Sequence, residues 1–361
     1  MTDDTQLNAP DSPERRSLLV TAGASVAALG LATLSGRAVL AQTTAEWDKT
    51  FPKSDLVEHS KVSFANRYGI TLVGDLYIPV NRSESTLPAL AVAGPFGAVK
   101  EQSSGLYAQT MAERGFITLA FDGSYTGESG GEPRFVASPD INSEDFMAAV
   151  DFLGLHDLVD RERIGVIGVC GWGGLALNAV AADKRVKAVA VTSMYDMSRV
   201  NARGYYDAMT DEQRNERLTR LSLQRWDDAS SEAAPARDGG LPETLDGIDD
   251  PVITMYWNYY KTDRGYHPRS ANSNGGWNIT SAMSFMNMPQ LTYVNEISPR
   301  PALIIAGSEA HSRYFSEDAF AAAAEPKELV IIEGADHVDL YDQVEIIPFD
   351  RLQAFFDRHL A

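Results

Sequence analysis

The sequence predicts an α/β protein with a mainly parallel eight-stranded sheet, helices on both faces and a helical cap insertion. From residue 60 onward, short apolar runs alternate with stretches of helical character, which is typical of a parallel sheet covered on both sides. One apolar run, residues 164–169, leads through a glycine-rich turn into a helical stretch. The segment 196–299 then interrupts the alternation. Since 44% of the 361 residues are hydrophobic and 22% are charged, the composition is that of a folded chain.

Turn signals between apolar runs define the first half of the sheet. Tyr68-Gly69 separates the first two strands, which we expect to be antiparallel. Gly115 marks the end of the first helix. The predicted strands are 61–66, 70–78, 89–93 and 116–121; the predicted helices are 104–114 and 143–155; the loops of interest are 94–97 and 122–139.

The second half continues the alternation on either side of the insertion. The predicted strands are 164–169, 186–192, 302–306 and 328–332, and the predicted helices are 175–182 and 349–359. Residues 60–195 and 300–361 therefore form the predicted core. An insertion after the carboxyl end of a strand lies over the site in such sheets, so we expect 196–299 to form a cap over a pocket. A surface excursion unrelated to substrate is the alternative.

Residues 1–41 have the features of an export signal. Arg15 and Arg16 precede an uncharged, mildly apolar stretch at 17–34, and small residues before Gln42 fit cleavage by a signal peptidase. This resembles a twin-arginine signal, which implies a periplasmic or secreted mature protein. A membrane anchor is the alternative because the stretch is nearly long enough to span a bilayer, but its small and polar residues favour cleavage. Residues 42–59 are interpreted as an N-terminal extension.

Charge and composition limit the classes of partner. A net charge of −19 argues against nucleic acid and anionic membranes as partners. A single cysteine cannot form an internal disulfide. No histidine pair or carboxylate cluster has the spacing of metal ligands, so we expect no metal and no organic cofactor. We expect a small-molecule substrate and no stable membrane insertion after signal cleavage, and the oligomeric state is left open.

That single cysteine, Cys170, is the predicted nucleophile. It lies at the turn from the fifth strand into a helix, where a reactive side chain needs small neighbours because the turn is strained; Gly168 and Gly171 meet that need. The segment departs from the common G-x-S-x-G pattern, because cysteine replaces serine and Trp172 occupies the second position after it. A helix N-terminus stabilises a thiolate. The alternative is a buried cysteine that acts as a small hydrophobe.

The catalytic base and acid are expected near the end of the chain. When a nucleophile occupies such a turn, its partners follow in the order acid, then histidine. His337 follows the last predicted strand, and His311 is the competing histidine. Glu309 is the first carboxylate after the preceding strand and is predicted to orient the imidazole and stabilise its charged form. Asp318 and Asp336 are nearby alternatives for the acid.

Two backbone N–H groups are predicted to form an oxyanion hole. One belongs to Gly171, directly after the nucleophile, and the other to Phe96 in the loop after the third strand, since Pro95 has no N–H to donate. Aromatic residues are candidates for the substrate pocket because they bury apolar area, although each of them could instead be packing in the core or cap. These candidates are Trp172, Tyr125, Tyr205, Tyr206, Trp257 and Tyr260.

Residues 60–361 resemble the α/β-hydrolase superfamily, near its dienelactone-hydrolase-like branch. The resemblance rests on Gly168-Val169-Cys170-Gly171-Trp172-Gly173-Gly174, Gly94-Pro95-Phe96-Gly97, Glu309 and Asp336-His337. Segments 99–102 and 124–129 are similar to bacterial hydrolases related to fungal polyketide acyl transferases. The resemblance implies hydrolysis of an ester, thioester or lactone through a Cys-His-Glu triad and a covalent acyl-enzyme.

Two other functions remain open. The same triad can transfer an acyl group to an alcohol or amine in place of water. Alternatively, the chain is a non-catalytic binding protein in which Cys170 is oxidised reversibly. We expect an ester, thioester or lactone as substrate in preference to a peptide.

Overall fold

An eight-stranded sheet forms the centre of the chain. The computed structural model describes residues 47–82 and 84–361, so the predicted export signal at 1–41 and the first residues of the extension lie outside the described residues. The strands are β1 (Val57–Ala65), β2 (Thr71–Pro79), β3 (Leu87–Ala93), β4 (Ile117–Phe121), β5 (Val159–Val169), β6 (Ala188–Thr192), β7 (Arg237–Asp238), β8 (Trp277–Asn278), β9 (Ala302–Gly307) and β10 (Lys327–Ile332).

Helices connect these strands and build the insertion. They are α1 (Ser103–Glu113), α2 (Pro139–Gly154), α3 (Gly171–Ala182), α4 (Met197–Arg203), α5 (Asp211–Ser230), α6 (Pro251–Tyr260), α7 (Ala282–Asn287), α8 (Arg313–Ala322), α9 (Asp339–Asp342) and α10 (Phe349–His359). Short 3-10 turns occur at Tyr205–Asp207, Ile279–Ser281 and Val294–Ile297. Among the helices of the described chain, none combines the length and the apolar character that a bilayer crossing requires.

The sheet has the strand order β1-β2-β4-β3-β5-β6-β9-β10. The pairs β1–β2 and β2–β4 are antiparallel, and every later neighbouring pair in that order is parallel. The prediction of a mainly parallel eight-stranded sheet is therefore confirmed. β3, β4, β6 and β9 are buried along their whole length, because helices cover both faces of a parallel sheet and its central strands are accordingly continuous apolar runs.

Several element boundaries differ from the predicted ones, and two of these differences have a direct physical reason. β5 begins at Val159, five residues before the predicted start at 164, because Val159 pairs with Leu87 across a register shift that an apolar-run criterion does not detect. α3 begins at Gly171, directly after Cys170, although glycine has a low helix propensity. Packing of this first turn against neighbouring backbone overrides the propensity.

The parallel strands bring their carboxyl ends to one edge of the sheet. The loops after β3, β5, β9 and β10 begin there, so chain segments far apart in sequence meet at this edge. Residues 196–299 supply α4 to α7 and the two-stranded ribbon β7–β8. Residues 47–361 group into one compact unit that includes this insertion.

Candidate active site

Cys170 occupies a strained turn between β5 and α3. Its backbone has φ 57° and ψ −130°, a left-handed conformation that is unusual for a residue other than glycine. Its own N–H donates to the Thr192 carbonyl at 2.9 Å, and its carbonyl accepts from Gly173 and Tyr195 at 2.8 and 3.0 Å. A Cβ added to Gly171 would lie 2.7 Å from the Cβ of Phe96, so glycine is required for this close approach. Hydrogen bonds at both the N–H and the carbonyl of Cys170 therefore stabilise this turn.

Three polar groups surround the thiol of Cys170: the Tyr341 hydroxyl and the backbone N–H groups of Phe96 and Gly171. Burial raises the pKa of the Cys170 thiol, and these three groups offset part of that rise without cancelling it. Both N–H groups that were predicted for an oxyanion hole therefore converge on the nucleophile candidate. Cys170 itself is buried, with an exposed fraction of 6%.

His337 lies behind Tyr341 as seen from the thiol. Its Nε2 is 2.8 Å from the Tyr341 hydroxyl oxygen, and that hydroxyl also adjoins the thiol of Cys170. Its Nδ1 is 2.6 Å from the Ser312 hydroxyl oxygen. Burial, and secondarily the nearby His311, hold the pKa of His337 well below its usual range. The imidazole is therefore neutral, with a hydroxyl group at each ring nitrogen.

The prediction that Glu309 orients His337 is corrected by this geometry. The Glu309 side chain is exposed, and its carboxylate contacts the Ser308 hydroxyl at 3.3 Å. Its backbone N–H donates to the Ala335 carbonyl, which ties the turn after β9 down and leaves the side chain on the outer side. Ser312, three residues later, fills the position at Nδ1 that we expected for the acid.

Neither alternative carboxylate reaches the imidazole. Asp318 is exposed and forms an ion pair with Arg199 at 2.6 Å. Asp336 accepts from the backbone N–H groups of Val338 and Asp339 at 2.8 and 2.9 Å, so it caps the turn that leads into α9. The two hydrogen bonds that the structure gives His337 through its ring nitrogens both go to hydroxyl groups.

A second cluster of polar rings lies beside this chain of contacts. The Tyr195 hydroxyl oxygen lies 3.1 Å from that of Tyr205 and 3.0 Å from that of Tyr256, and it also contacts His311 Nε2. The ring centroids of His311 and His337 are 5.1 Å apart. Burial lowers the pKa of His311 to about 4. This histidine is therefore neutral at pH 7 and does not hydrogen-bond to the thiol in the described structure.

A cavity of about 520 Å³ adjoins the site. Its volume lies in the range of pockets that hold small organic ligands, roughly 300–1,000 Å³. Core and insertion both contribute to its walls, which include Phe96, Tyr341, Tyr195, Met197, Leu221, Tyr256, Asn272, Trp277 and Phe285. The Asn272 side chain donates to the Phe96 carbonyl at 2.8 Å, so the insertion is hydrogen-bonded to the loop that carries a predicted oxyanion donor.

Only part of the predicted aromatic pocket lines this cavity. Tyr205 and Tyr260 do so. Trp172 is instead buried in the core, with its ring packed edge-on against Phe121 and Phe146 at centroid distances of 5.6 and 5.5 Å. Tyr125, Tyr206 and Trp257 are not part of the cavity lining either.

The last two of these have other partners. Tyr206 is 67% exposed and stacks on Tyr314, and the Trp257 indole donates to the Pro242 carbonyl at 3.1 Å. Trp257 and Tyr260 lie in the same helix, and which of them reaches the cavity depends on how α6 packs, which the sequence does not specify.

Tyr341, Ser312 and Tyr195 also belong to the site, although they were not predicted from the sequence. Tyr341 lies four residues after His337, and the turn that leads from His337 into α9 brings the two side chains within hydrogen-bond distance. That spacing was a detectable signal. Ser312 and Tyr195 had none, because loops that are distant in sequence bring them to the imidazole. In the described part of the chain, no group of three or more His, Cys, Asp or Glu side chains is arranged to hold a metal ion.

Comparison with known proteins defines the class. The X-Pro dipeptidyl-peptidase (S15) family matches residues 68–240. The crystal structure of the α/β hydrolase GrgF from Penicillium sp. superposes with a TM-score of 0.67 over 84% of this chain and 99% of GrgF, at 24% identity. In sequence, the Penicillium polyketide transferase grgF is 28% identical over 86% of this chain and 98% of its own length. The chain is an α/β-hydrolase-fold enzyme.

Two bacterial relatives match this chain over nearly the whole of their own length. The uncharacterized protein PA2218 of Pseudomonas aeruginosa is 63% identical over 95% of this chain and 92% of its own. Its crystal structure superposes with a TM-score of 0.85 over 88% of this chain and 98% of PA2218. The uncharacterized protein YcjY of Escherichia coli is 32% identical over 79% of this chain and 93% of its own. The chain belongs to the family that contains these two proteins, and its fold is that of the α/β hydrolases.

Proposed function

We propose that this enzyme hydrolyses a carboxylic ester, thioester or lactone with Cys170 as its nucleophile. One observation carries the proposal: the thiol lies on a strained strand-to-helix turn, and two backbone N–H groups and the Tyr341 hydroxyl converge on it. N–H groups arranged in this way stabilise the oxyanion that forms when a nucleophile adds to a carbonyl carbon. A cysteine that served only as a hydrophobe would require neither the strained backbone nor the donors.

In this proposal, the Tyr341 hydroxyl relays the proton of the Cys170 thiol to His337. Because the thiol pKa is raised and His337 is neutral, the resting site is a thiol beside an imidazole, without an ion pair. The His337 tautomer with Nδ1–H donates to Ser312 and leaves Nε2 free to accept. As the sulfur attacks, its proton passes to the Tyr341 oxygen, and the Tyr341 hydroxyl proton passes to Nε2.

The remaining steps follow acyl-transfer chemistry. The sulfur–carbon bond forms, and the carbonyl oxygen becomes an oxyanion that accepts from Phe96 and Gly171. Its collapse expels the alkoxide or thiolate, which takes the proton from the His337 imidazolium. Water then attacks the thioester of Cys170, gives a proton to His337 and releases the acid, and the proton returns to the sulfur. Ser312 takes the orienting position, as a neutral group in place of a carboxylate.

The first test is substrate turnover by substituted enzymes. p-Nitrophenyl esters of rising chain length, thioesters, lactones and an X-Pro p-nitroanilide form the panel. Cys170→Ala is expected to abolish turnover and leave the melting temperature within a few degrees of wild type. Ser312→Ala is expected to lower kcat by about threefold to tenfold, because His337 loses one neutral hydrogen bond of about 0.5–1.5 kcal/mol. Undiminished ester hydrolysis by Cys170→Ala would refute the nucleophile, and cleavage of the p-nitroanilide alone would favour a peptidase.

Acyl transfer to an acceptor other than water is the second candidate. It is supported by the name of the Penicillium relative, a polyketide transferase, which matches 86% of this chain. Product analysis with and without an added alcohol or amine separates the two reactions, because a transferase forms a new ester or amide at the expense of the free acid. Absence of turnover on every member of the panel, together with reversible oxidation of Cys170, would favour the non-catalytic alternative.

We also propose that the mature enzyme works in the periplasm or outside the cell. The support is the Arg15-Arg16 pair, the uncharged stretch that follows it and the cleavage pattern before Gln42. Cell fractionation of the full chain is expected to give a mature form that begins at Gln42, and replacing both arginines by lysine is expected to keep the precursor in the cytoplasm. A full-length membrane-bound form in both cases would favour an anchor.

A further inference from the structure

One wall of the active-site cavity is cationic. Arg217, Arg220, Leu221 and Gln224 of α5 line the same cavity as Tyr341. Their spacing of three, four and seven residues from Arg217 places them on one face of the helix. Two arginines one turn apart therefore face the cavity that adjoins the proposed nucleophile and shares Phe96 and Tyr341 with its surroundings.

These two arginines lack the carboxylate partners that other arginines of the insertion have. Arg199 pairs with Asp207 at 2.6 Å, and Arg264 pairs with Asp342 at 2.8 Å. Within residues 47–82 and 84–361, neither Arg217 nor Arg220 forms an ion pair.

Arg217 is oriented by neutral groups. It donates to the carbonyl and the side-chain oxygen of Asn201 at 2.9 and 3.1 Å. These two bonds use part of its donor set and leave other N–H groups of the guanidinium available. Burial lowers the pKa of Arg217, and the neighbouring Arg220 cation lowers it further, against an opposing effect of Asp238. Asp238 also lines the cavity, and its carboxylate accepts from the N–H of Gly239.

Arg217 is half-buried and Arg220 is exposed at the rim, and a half-buried guanidinium beside a second cation costs free energy unless a counter-charge is bound. A guanidinium binds the oxygens of a carboxylate or phosphate through paired N–H groups, which a rigid fork of donors favours. In a chain with a net charge of −19, this wall is also locally opposite in sign to the molecule as a whole. A neutral apolar substrate would need neither arginine.

We infer that Arg217 and Arg220 bind an anionic oxygen-bearing group of the substrate, a carboxylate or a phosphate, while its ester or thioester carbonyl lies at Cys170. The substrate class is then an acyl compound with a negative charge separated from the reacting carbonyl by an apolar segment, which packs against Leu221 and the aromatic wall. The location of the carbonyl rests on the proposed function, whereas binding of the anion does not.

Kinetics with matched esters test the inference. The pair is mono-p-nitrophenyl suberate, which has a free carboxylate, and its neutral methyl ester; a third ester has a phosphate in place of the carboxylate. Arg220→Ala is expected to lower the ratio of kcat/KM for the acid to that for the methyl ester about tenfold, mainly through KM. Arg203→Ala is the matched control, since this exposed arginine pairs with Asp211 and does not line the cavity; it leaves the ratio unchanged. An equal loss on both esters, or a wild-type preference for the neutral ester, would overturn the inference.

Binding without turnover separates this inference from the proposed function. Cys170→Ala is titrated by calorimetry with suberate, hexyl phosphate and neutral dimethyl suberate. An anion is expected to bind to this variant, and its affinity is expected to fall about tenfold in the double variant that also carries Arg220→Ala. The anion that binds more tightly identifies the charged group of the substrate as a carboxylate or a phosphate. If wild type turns over none of the esters but arginine-dependent binding persists, the proposed function fails and the anion site stands. Binding that is independent of Arg220 overturns the site.

Arg217 needs a separate variant because its bonds to Asn201 support the fold. Arg217→Lys retains the charge but loses the paired donors, and it is expected to weaken anion binding while the melting temperature stays near that of wild type. Unchanged anion binding in both Arg217→Lys and Arg220→Ala would contradict a role for this wall.

Discussion

Replacing Tyr341 by phenylalanine should raise the pKa of Cys170 and slow its alkylation. Tyr341 is completely buried, and its hydroxyl forms a hydrogen bond with His337 Nε2 and adjoins the thiol of Cys170. Burial raises the thiol pKa, and the Tyr341 hydroxyl contributes the largest of the opposing effects, ahead of the N–H groups of Phe96 and Gly171. Removing the hydroxyl therefore leaves the thiolate less stabilised.

The size of the effect follows from the strength of a hydrogen bond to a charged acceptor. Such a bond contributes about 1.5–3 kcal/mol, and one pKa unit corresponds to about 1.36 kcal/mol, so the thiol pKa should rise by about one to two units. At a pH below both pKa values, the thiolate fraction and hence the alkylation rate should fall about 10- to 100-fold. kcat for ester hydrolysis should fall as well, because the proton path to His337 is interrupted.

Iodoacetamide labelling followed by mass spectrometry across a pH series measures this pKa directly, since Cys170 is the only cysteine of the chain. Tyr259→Phe is the matched control. The Tyr259 ring packs edge-to-face on Tyr341 with centroids 5.2 Å apart, but its hydroxyl bonds to neither Cys170 nor His337. An unchanged or lowered pKa of Cys170 in Tyr341→Phe would refute this role of the Tyr341 hydroxyl.

Three further predictions concern the role of Glu309 in catalysis, the packing around Gly174 and the stability of the fold at low pH. Glu309→Gln should leave kcat/KM within about twofold of wild type, because this exposed carboxylate does not touch the imidazole; a loss of several orders of magnitude in steady-state assays would restore it as the triad acid. Gly174→Ala should destabilise the fold by about 1–3 kcal/mol in urea unfolding, because its Cβ would lie 2.3 Å from a backbone carbonyl oxygen, whereas Gly154→Ala, with nothing closer than 3.7 Å, should not. Burial raises the pKa of Asp75, but its bond to His59 and a buried lysine outweigh this and hold it at about 2, below the ordinary 3.8. The resulting stabilisation is present above pH 4 and should be lost, by about 2 kcal/mol, as the pH falls towards 2; urea unfolding of Asp75→Asn should lack that loss.

The nucleophile turn was predictable because its requirements are local. A strand that ends in a reactive residue and continues at once into a helix needs small residues around it, and glycines at 168 and 171 are visible in the sequence. The structure confirms the local arrangement: β5 ends at Val169 and α3 begins at Gly171. The two predicted N–H donors are backbone groups, so their position depends on the turn and loop and not on a side-chain direction.

The partners of His337 were not predictable in the same way. Glu309 and Ser312 lie three residues apart in one loop, and the sequence favoured the carboxylate because of its chemistry. In the folded chain the Glu309 backbone is bonded to the Ala335 carbonyl while its side chain is exposed, and the Ser312 hydroxyl lies at Nδ1. How the two loops pack together decided which side chain reaches the imidazole.

The sequence alone determined the order of strands and helices, the mainly parallel sheet and the turn that carries Cys170, because apolar periodicity and glycine positions are properties of short segments. The tertiary structure decided which side chains meet at that turn: it brought Tyr341 between the thiol and His337, put Trp172 in the core, and set Arg217 and Arg220 on the cavity wall. These outcomes depend on how distant loops and helices pack, and packing between elements is a property of the whole chain.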